Sequence, residues 1–197
     1  MIKDTVEIDN FLEETEFNII QKFSEKLIRE NPLGTRNGTV GFPYEKSLVQ
    51  KILHEKLSKI LIPFKVHRSM ILNEIDPWAI HTDWHKDDAD PYCAVLFPVS
   101  FSNKPVHTIV FNEKAYDDDW KSTQEPKNHN WSDHELRLLS HISQPTLQLV
   151  TMKKIMKWEQ KKLIAWNRDL LHCSDNFTNE TKTKTALVLF LSFDEKV

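Results

Sequence analysis

At Pro63 the chain changes its hydrophobic period, and few architectures accommodate that change. Upstream, residues 13 to 30 (EETEFNIIQKFSEKLIRE) put Phe17, Ile20, Phe23, Leu27 and Ile28 on one helical face. Acids lead this segment, and Asn31-Pro32 followed by Gly34 ends it. NPLGTRNGTVGFP then reads as a loop. Pro43 is expected to open a second amphipathic helix striped by Leu48, Val49, Ile52, Leu53, Leu57, Ile60 and Leu61, with Pro63 closing it. Downstream the period is that of strands. FKVHRSMILNEI alternates, PYCAVLFPVSF and VHTIVFN are short and β-branched, and strand character recurs at LQLVTM, KIMKWEQ, KKLIAWN and KTALVLFLSF. Residues 113–147 are the exception: polar, with one helix expected near 132–141, and long enough to suggest a lid or binding loop. Two helices followed by many short strands predict an antiparallel barrel or sandwich backed by the helices.

The chain's 197 residues, 40% of them hydrophobic, suit one domain with a sizeable core. A formal charge of −3 gives no electrostatic case for nucleic acid or a membrane surface as partner. No apolar run approaches a membrane span, and the first residues lack the layout of a signal peptide. Two cysteines do not make a disulfide framework, so a cytoplasmic location is expected. All 3 glycines fall between positions 34 and 41, which removes the phosphate-binding glycine loops elsewhere.

The chemistry-bearing stretch is PWAIHTDWHKDD, residues 77 to 88. In an extended segment His81 and Asp83 point to the same side and can converge on one point. A metal needs a third ligand, and His172 in LIAWNRDLLHCSDNF, just after an expected strand, is the best candidate. Two histidines and one carboxylate on one face of a metal, with other positions open, is the donor set of non-haem Fe(II) oxygenases. Lys184 begins the last strand, with Ala186, Val188 and Phe190 on its side. A cation pointing inward there needs an anionic partner, which a bound dicarboxylate would supply.

HTD at 81 to 83, LIAWNRDLLH ending at His172, and a basic residue leading KTALVLFLSFD together resemble the Fe(II)/2-oxoglutarate-dependent dioxygenases, in particular short prolyl-hydroxylase-like members of phage and bacterial type. The resemblance covers roughly residues 64–193. It implies a double-stranded β-helix, a jelly-roll and cupin-like barrel that is mainly β and braced by two N-terminal helices. The implied layout is one oxygenase domain: a helical brace over 1–62, barrel strands over 63–112 and 148–197, and an insertion or lid over 113–147. It further implies Fe(II) held by His81, Asp83 and His172, with 2-oxoglutarate as co-substrate and its far carboxylate on Lys184. O₂ would be consumed, succinate and CO₂ released, and an unactivated C–H bond hydroxylated. Lysine stands where many members have arginine, and its spacing from His172 is slightly long, which leaves Lys182 as a rival. Ser69 and Asn73, on one strand face, are further candidates to hydrogen-bond 2-oxoglutarate. The substrate would be a protein or peptide side chain such as proline, or a free amino acid or small metabolite.

His85 is expected to sit on the substrate side or to be solvated with Asp87, Asp88 and Asp90. His67, His107 and His141 read as partly buried or surface polar residues, and Cys93 and Cys173 as small apolar ones. Trp158 and Trp166 read as core. Trp78 and Trp84 read equally as core or as the substrate entrance. Arg168 either reaches the substrate or pairs near Asp169 at the surface, and DDDW at 117 to 120 reads as a solvated face. Two rivals stay open. A cupin-like metal enzyme would not need Lys184 or 2-oxoglutarate. A non-catalytic jelly-roll binding module predicts that His81, Asp83 and His172 do not converge.

Overall fold

A computed structural model describes residues 4–31, 38–84, 91–101, 105–177 and 183–194. The element order is β1 (Thr5–Ile8), α1 (Glu14–Glu30), β2 (Gly38–Gly41), α2 (Leu48–Ser58), β3 (Phe64–Glu74), β4 (Pro91–Ser100), β5 (His107–Lys114), α3 (Trp120–Thr123), α4 (Asp133–Leu138), α5 (Gln144–Leu147), β6 (Met152–Lys157), β7 (Leu163–Asn167), β8 (Leu170–Ser174) and β9 (Lys184–Phe193). No described helix is long and apolar enough to cross a membrane.

The first helix follows its sequence signals. Glu13 and Glu16 form a reciprocal capping box, Phe17 and Ile20 are buried, and Phe23, Leu27 and Ile28 pack at the margin. The second helix is shorter than expected. Residues after Pro43 make a turn with Lys46 at φ 63, and Ser47 provides the cap by accepting the Gln50 N–H at 3.0 Å. A side chain that satisfies an orphan N–H marks the start more strongly than proline does here. The helix stops at Ser58, so Ile60 and Leu61 lie beyond it; Leu48 and Ile60 are exposed, and the buried stripe is Val49, Leu53 and Leu57. The expected loop after α1 contains β2, and LQLVTM is divided between α5 and β6. Pro145 in the first turn of α5 favours helix there. The helix expected at 132–141 is α4, capped by Ser132 and Glu135.

The strands form two antiparallel sheets, one ordered β1-β7-β4-β9-β3-β2 and one ordered β6-β5-β8. The larger sheet is buried on both faces, which explains why β4 and β9 read as nearly continuous apolar runs. One face carries Cys93, Val95, Phe97, Leu163, Ala165, Leu187 and Leu189 against Phe17, Ile20, Leu53 and Leu57 of the two helices. The other carries Ala94, Leu96, Ile164, Trp166, Ala186 and Val188 against Val110, Met156 and Leu170 of the smaller sheet. A further layer covers the smaller sheet from outside: Trp120, Leu139, Ile142 and Leu147 pack on Ile109, Phe111, Leu171 and Cys173. Most of the apolar side chains of residues 113–147 thus back β5 and β8.

One irregularity in β3 decides what faces the space between the sheets. The β3–β9 register slips at His67, where Val66 pairs with Leu191 and Arg68 pairs with Phe190. One extra residue exchanges the two faces of a strand. Phe64 and Val66 therefore point toward the helices, whereas Arg68, Met70, Leu72 and Glu74 line the cavity between the sheets.

Candidate metal centre

His81 lies on the irregular stretch between β3 and β4. Three fastenings hold that stretch in place, two of them to β8, an edge strand of the smaller sheet. The Trp78 N–H donates to Ser174 Oγ at 2.6 Å. His81 and His172 exchange backbone hydrogen bonds of 3.0 and 2.9 Å in a single antiparallel bridge. The buried Thr82 hydroxyl lies 3.1 Å from the Ala115 carbonyl and 3.0 Å from that of Arg168. His172 follows β7, as its sequence context suggested, and sits within a further strand, β8.

The ring orientations follow from the main chain. His81 Nδ1 is 2.8 Å from the Ala79 carbonyl, and His172 Nδ1 is 3.1 Å from the Leu170 carbonyl. A carbonyl only accepts, so each Nδ1 carries hydrogen in the neutral ring and each Nε2 presents a lone pair. Both Nε2 atoms face Asp83: His172 Nε2 is 3.3 Å from Oδ2, and His81 Nε2 is 4.0 Å from Oδ1. One ligand atom from each of the three residues falls within 4.8 Å of the others. Burial pushes His172 down to about 4, with His81 adding to the shift and Asp83 opposing it. The ring is therefore neutral, and able to donate its lone pair, at ordinary pH.

Asp83 is held from two sides. Trp166 Nε1–H donates to Oδ2 at 3.2 Å, and Arg168 Nε and Nη2 donate to the Asp83 carbonyl at 3.1 and 2.6 Å. Arg168 is 1% exposed and lies over the Phe190 ring, which removes the surface alternative of the two that its sequence position left open. Trp166 is core, as expected, but it is also the carboxylate's hydrogen-bond donor. Its inward parity was readable beside Ile164, whereas its partner was not. Two imidazole nitrogens and a carboxylate, each oriented by a further hydrogen bond, suit a divalent ion of the iron type.

The three residues line a cavity of about 400 Å³. A second charged cluster lines the same cavity. Lys184, 1% exposed, places Nζ 3.0 Å from Glu74 Oε2, with the rings of Trp158 and Phe177 at 4.5 and 4.8 Å. Lys184 points inward as its strand parity predicted, and Glu74 on the neighbouring strand supplies an anionic partner that sequence reading missed. The slip at His67 sets which face of β3 Glu74 takes, so the strand's own alternation did not signal it. Arg68, exposed at the cavity and over Phe190, was also missed.

Ser69 and Asn73 do not join either cluster. The slip at His67 turns both away from the cavity: Ser69 donates to the Phe42 carbonyl, and Asn73 Oδ1 accepts from Thr185 Oγ1 at 2.9 Å. The expectation that they contact 2-oxoglutarate is corrected accordingly. His85, Asp87, Asp88, Asp90 and Lys182 lie outside the described residues. His67 is exposed, His107 pairs with Asp175 at 2.7 Å, and His141 Nε2 lies 3.2 Å from the Trp78 carbonyl, so none of them joins the cluster. Trp78 lines the cavity with its ring 5.5 Å from that of His81, and Trp84 makes an edge contact with Tyr116. Asp117, Asp118 and Asp119 are exposed, while Trp120 beside them is buried. Cys93 is buried in the helix-side core, and Cys173 is buried against the outer layer.

No family model matches the sequence, and no curated protein matches it. Solved structures do. The chain is similar to the non-haem alpha-ketoglutarate-dependent carbocyclase SnoK from nogalamycin biosynthesis, with TM-score 0.61 and 15% identity over 95% of this chain and 80% of that one. It is similar to a Pseudomonas putida prolyl-4-hydroxylase, with TM-score 0.55 and 6% identity over 97% and 93%. It is also similar to HygX from Streptomyces hygroscopicus, solved with nickel and 2-oxoglutarate bound, with TM-score 0.59 and 9% identity over 98% and 83%. At these identities the likeness is one of fold.

Proposed function

We propose that this chain, which has the fold of the Fe(II)/2-oxoglutarate-dependent oxygenases, is itself such an enzyme and hydroxylates an unactivated C–H bond. The observation that carries the reading is the convergence of His81, Asp83 and His172, with both Nε2 lone pairs turned toward one carboxylate. In this reading the two sheets are the double-stranded β-helix, the jelly-roll barrel of the family, and α1 and α2 are its brace. The chain is one domain, and residues 116–118, beside Trp84 and the cavity, are the part of the insertion placed to act as a lid.

His81, Asp83 and His172 would hold Fe(II), and Lys184 would take the far carboxylate of 2-oxoglutarate. When bound, the iron and 2-oxoglutarate supply the oxidising chemistry, which consumes O₂ and releases succinate and CO₂. The protein's own residues orient and shield. The Ala79 and Leu170 carbonyls fix the two imidazoles, Trp166 fixes the carboxylate, and Arg168 fixes the backbone that carries it. Leu96, Val188 and Phe190 give the cavity an apolar wall that keeps water from the reacting atoms. The substrate is a small molecule or a peptide side chain such as proline, in keeping with a prolyl-hydroxylase-like, cytoplasmic protein. Trp78 and Arg68 stand where it would enter.

The test is an anaerobic titration of metal-free protein with Fe(II) and then 2-oxoglutarate, following the weak visible band of the chelate. The expected band is absent in His172→Ala and needs far more 2-oxoglutarate in Lys184→Met. One observation favours a second reading: Lys184 already has a counter-ion in Glu74 and does not require a dicarboxylate. A cupin-like metal enzyme without 2-oxoglutarate would bind Fe(II) stoichiometrically and show no band. The convergence of the three side chains counts against a non-catalytic binding module.

A further inference from the structure

Glu74 and Lys184 are direct cross-strand partners at the ends of β3 and β9. Both are buried, at 5% and 1% exposure, and both line the cavity that the candidate metal ligands line. The ammonium is closely surrounded. Glu74 takes one approach at 3.0 Å, and the aromatic faces of Trp158 and Phe177 take two more. Rings stabilise the cation but offer no formal negative charge. Glu74 is therefore the resident counter-ion in a site with little water to screen it.

We propose that Glu74 sets the affinity for the dicarboxylate co-substrate, because 2-oxoglutarate reaches Lys184 only by displacing the Glu74 carboxylate from it. The inference rests on the reading that Lys184 receives the far carboxylate of 2-oxoglutarate. Two carboxylates on one buried ammonium repel each other, since the same cation cannot fully compensate both. Glu74 closes β3 and is followed by the irregular stretch that leads to His81, so its side chain can turn without breaking a ladder on its far side. The displaced pair lowers the affinity of the native protein. By linkage, whatever weakens the unliganded pair strengthens the ligand. Glu74→Gln keeps the shape and removes the competing charge. Glu74→Asp keeps the charge and serves as its conservative counterpart.

The experiment is anaerobic calorimetry of 2-oxoglutarate binding to the Fe(II)-loaded full chain, for the native protein, Glu74→Gln, Glu74→Asp and Lys184→Met. 2-Oxopentanoate, which lacks the far carboxylate, is the control ligand. Expected is at least tenfold tighter binding of 2-oxoglutarate to Glu74→Gln, near-native binding to Glu74→Asp, and no tightening for 2-oxopentanoate. Glu74→Gln should also melt at a lower temperature without ligand and recover most of that loss with Fe(II) and 2-oxoglutarate. A merely structural glutamate would lower affinity when changed, never raise it. Unchanged or weaker binding to Glu74→Gln, with Lys184→Met at least tenfold weaker than native, overturns the role of Glu74 and leaves the lysine as the dicarboxylate site. Equal tightening for both ligands also overturns it. No calorimetric binding of 2-oxoglutarate to the Fe(II)-loaded native chain overturns both the inference and the reading beneath it.

Discussion

Two polar clusters line one cavity, and they are held in opposite ways. In the first, His81, Asp83 and His172 are oriented by backbone carbonyls, by an indole N–H and by the bridge between positions 81 and 172. Their ligand atoms converge, each within 4.8 Å of the others. In the second, Lys184 and Glu74 are oriented by each other, and their charges are already matched. The contrast teaches that buried polar groups become a ligand site when their support comes from outside the group. Groups that satisfy one another must first be separated.

The comparison is broken most severely at the metal cluster. Asp83→Ala or His172→Ala should abolish stoichiometric Fe(II) binding, measured by anaerobic dialysis and metal analysis, because two ligands from this set do not define a site. Retention of one tight equivalent in either variant would remove the metal reading. Next comes the ion pair. Lys184→Met leaves Glu74 as a buried carboxylate without its cation, and should cost about 3–5 kcal/mol in denaturant unfolding. Replacing both, as Lys184→Met with Glu74→Leu, should return most of that stability. An equal loss in the single and double variants would mean that the pair is not what Lys184 contributes.

A smaller effect is expected from pH. His172 is held down to about 4 by burial, while the unfolded chain titrates near the ordinary 6.5. Between these values the unfolded chain binds a proton that the folded one refuses. This contribution to stability is therefore complete above pH 6.5 and is lost as pH falls toward 4, by up to about 3 kcal/mol. Metal-free His172→Gln should show a flatter stability profile across that window, and an unchanged slope would count against the buried neutral ring. The smallest effect is at Trp166. Trp166→Phe removes the N–H that holds Asp83 Oδ2 and should weaken Fe(II) binding about tenfold with little change in fold. A change below twofold would show that Arg168 and the backbone suffice.

The sequence by itself determined the change from helical to strand period at Pro63, the shared side of His81 and Asp83, and the inward face of β9; it did not mark β1 ahead of α1 or β2 between the two helices. Each determined feature is local, whereas the meeting of His172 with His81 and Asp83 is not. Period 3.6 or period 2 is written within one segment, and His81 and Asp83 share a side through their spacing of two. Lys184 lies on the inward face for the same reason. Local rules failed wherever two distant segments had to meet. The slip against β9 at His67 carried Ser69 and Asn73 away from the cavity and brought Glu74 into it. A register shift belongs to a pair of strands and leaves no mark in the alternation of one. The Ser47 cap displaced Pro43 as the start of α2, although both signals were present in the same stretch. Tertiary structure alone decided that Arg168 is buried on the Asp83 carbonyl, that Trp166 meets the Asp83 carboxylate, and that Lys184 meets Glu74. Each depends on which buried donor finds which acceptor across the fold, and that pairing is fixed only when the sheets close over it.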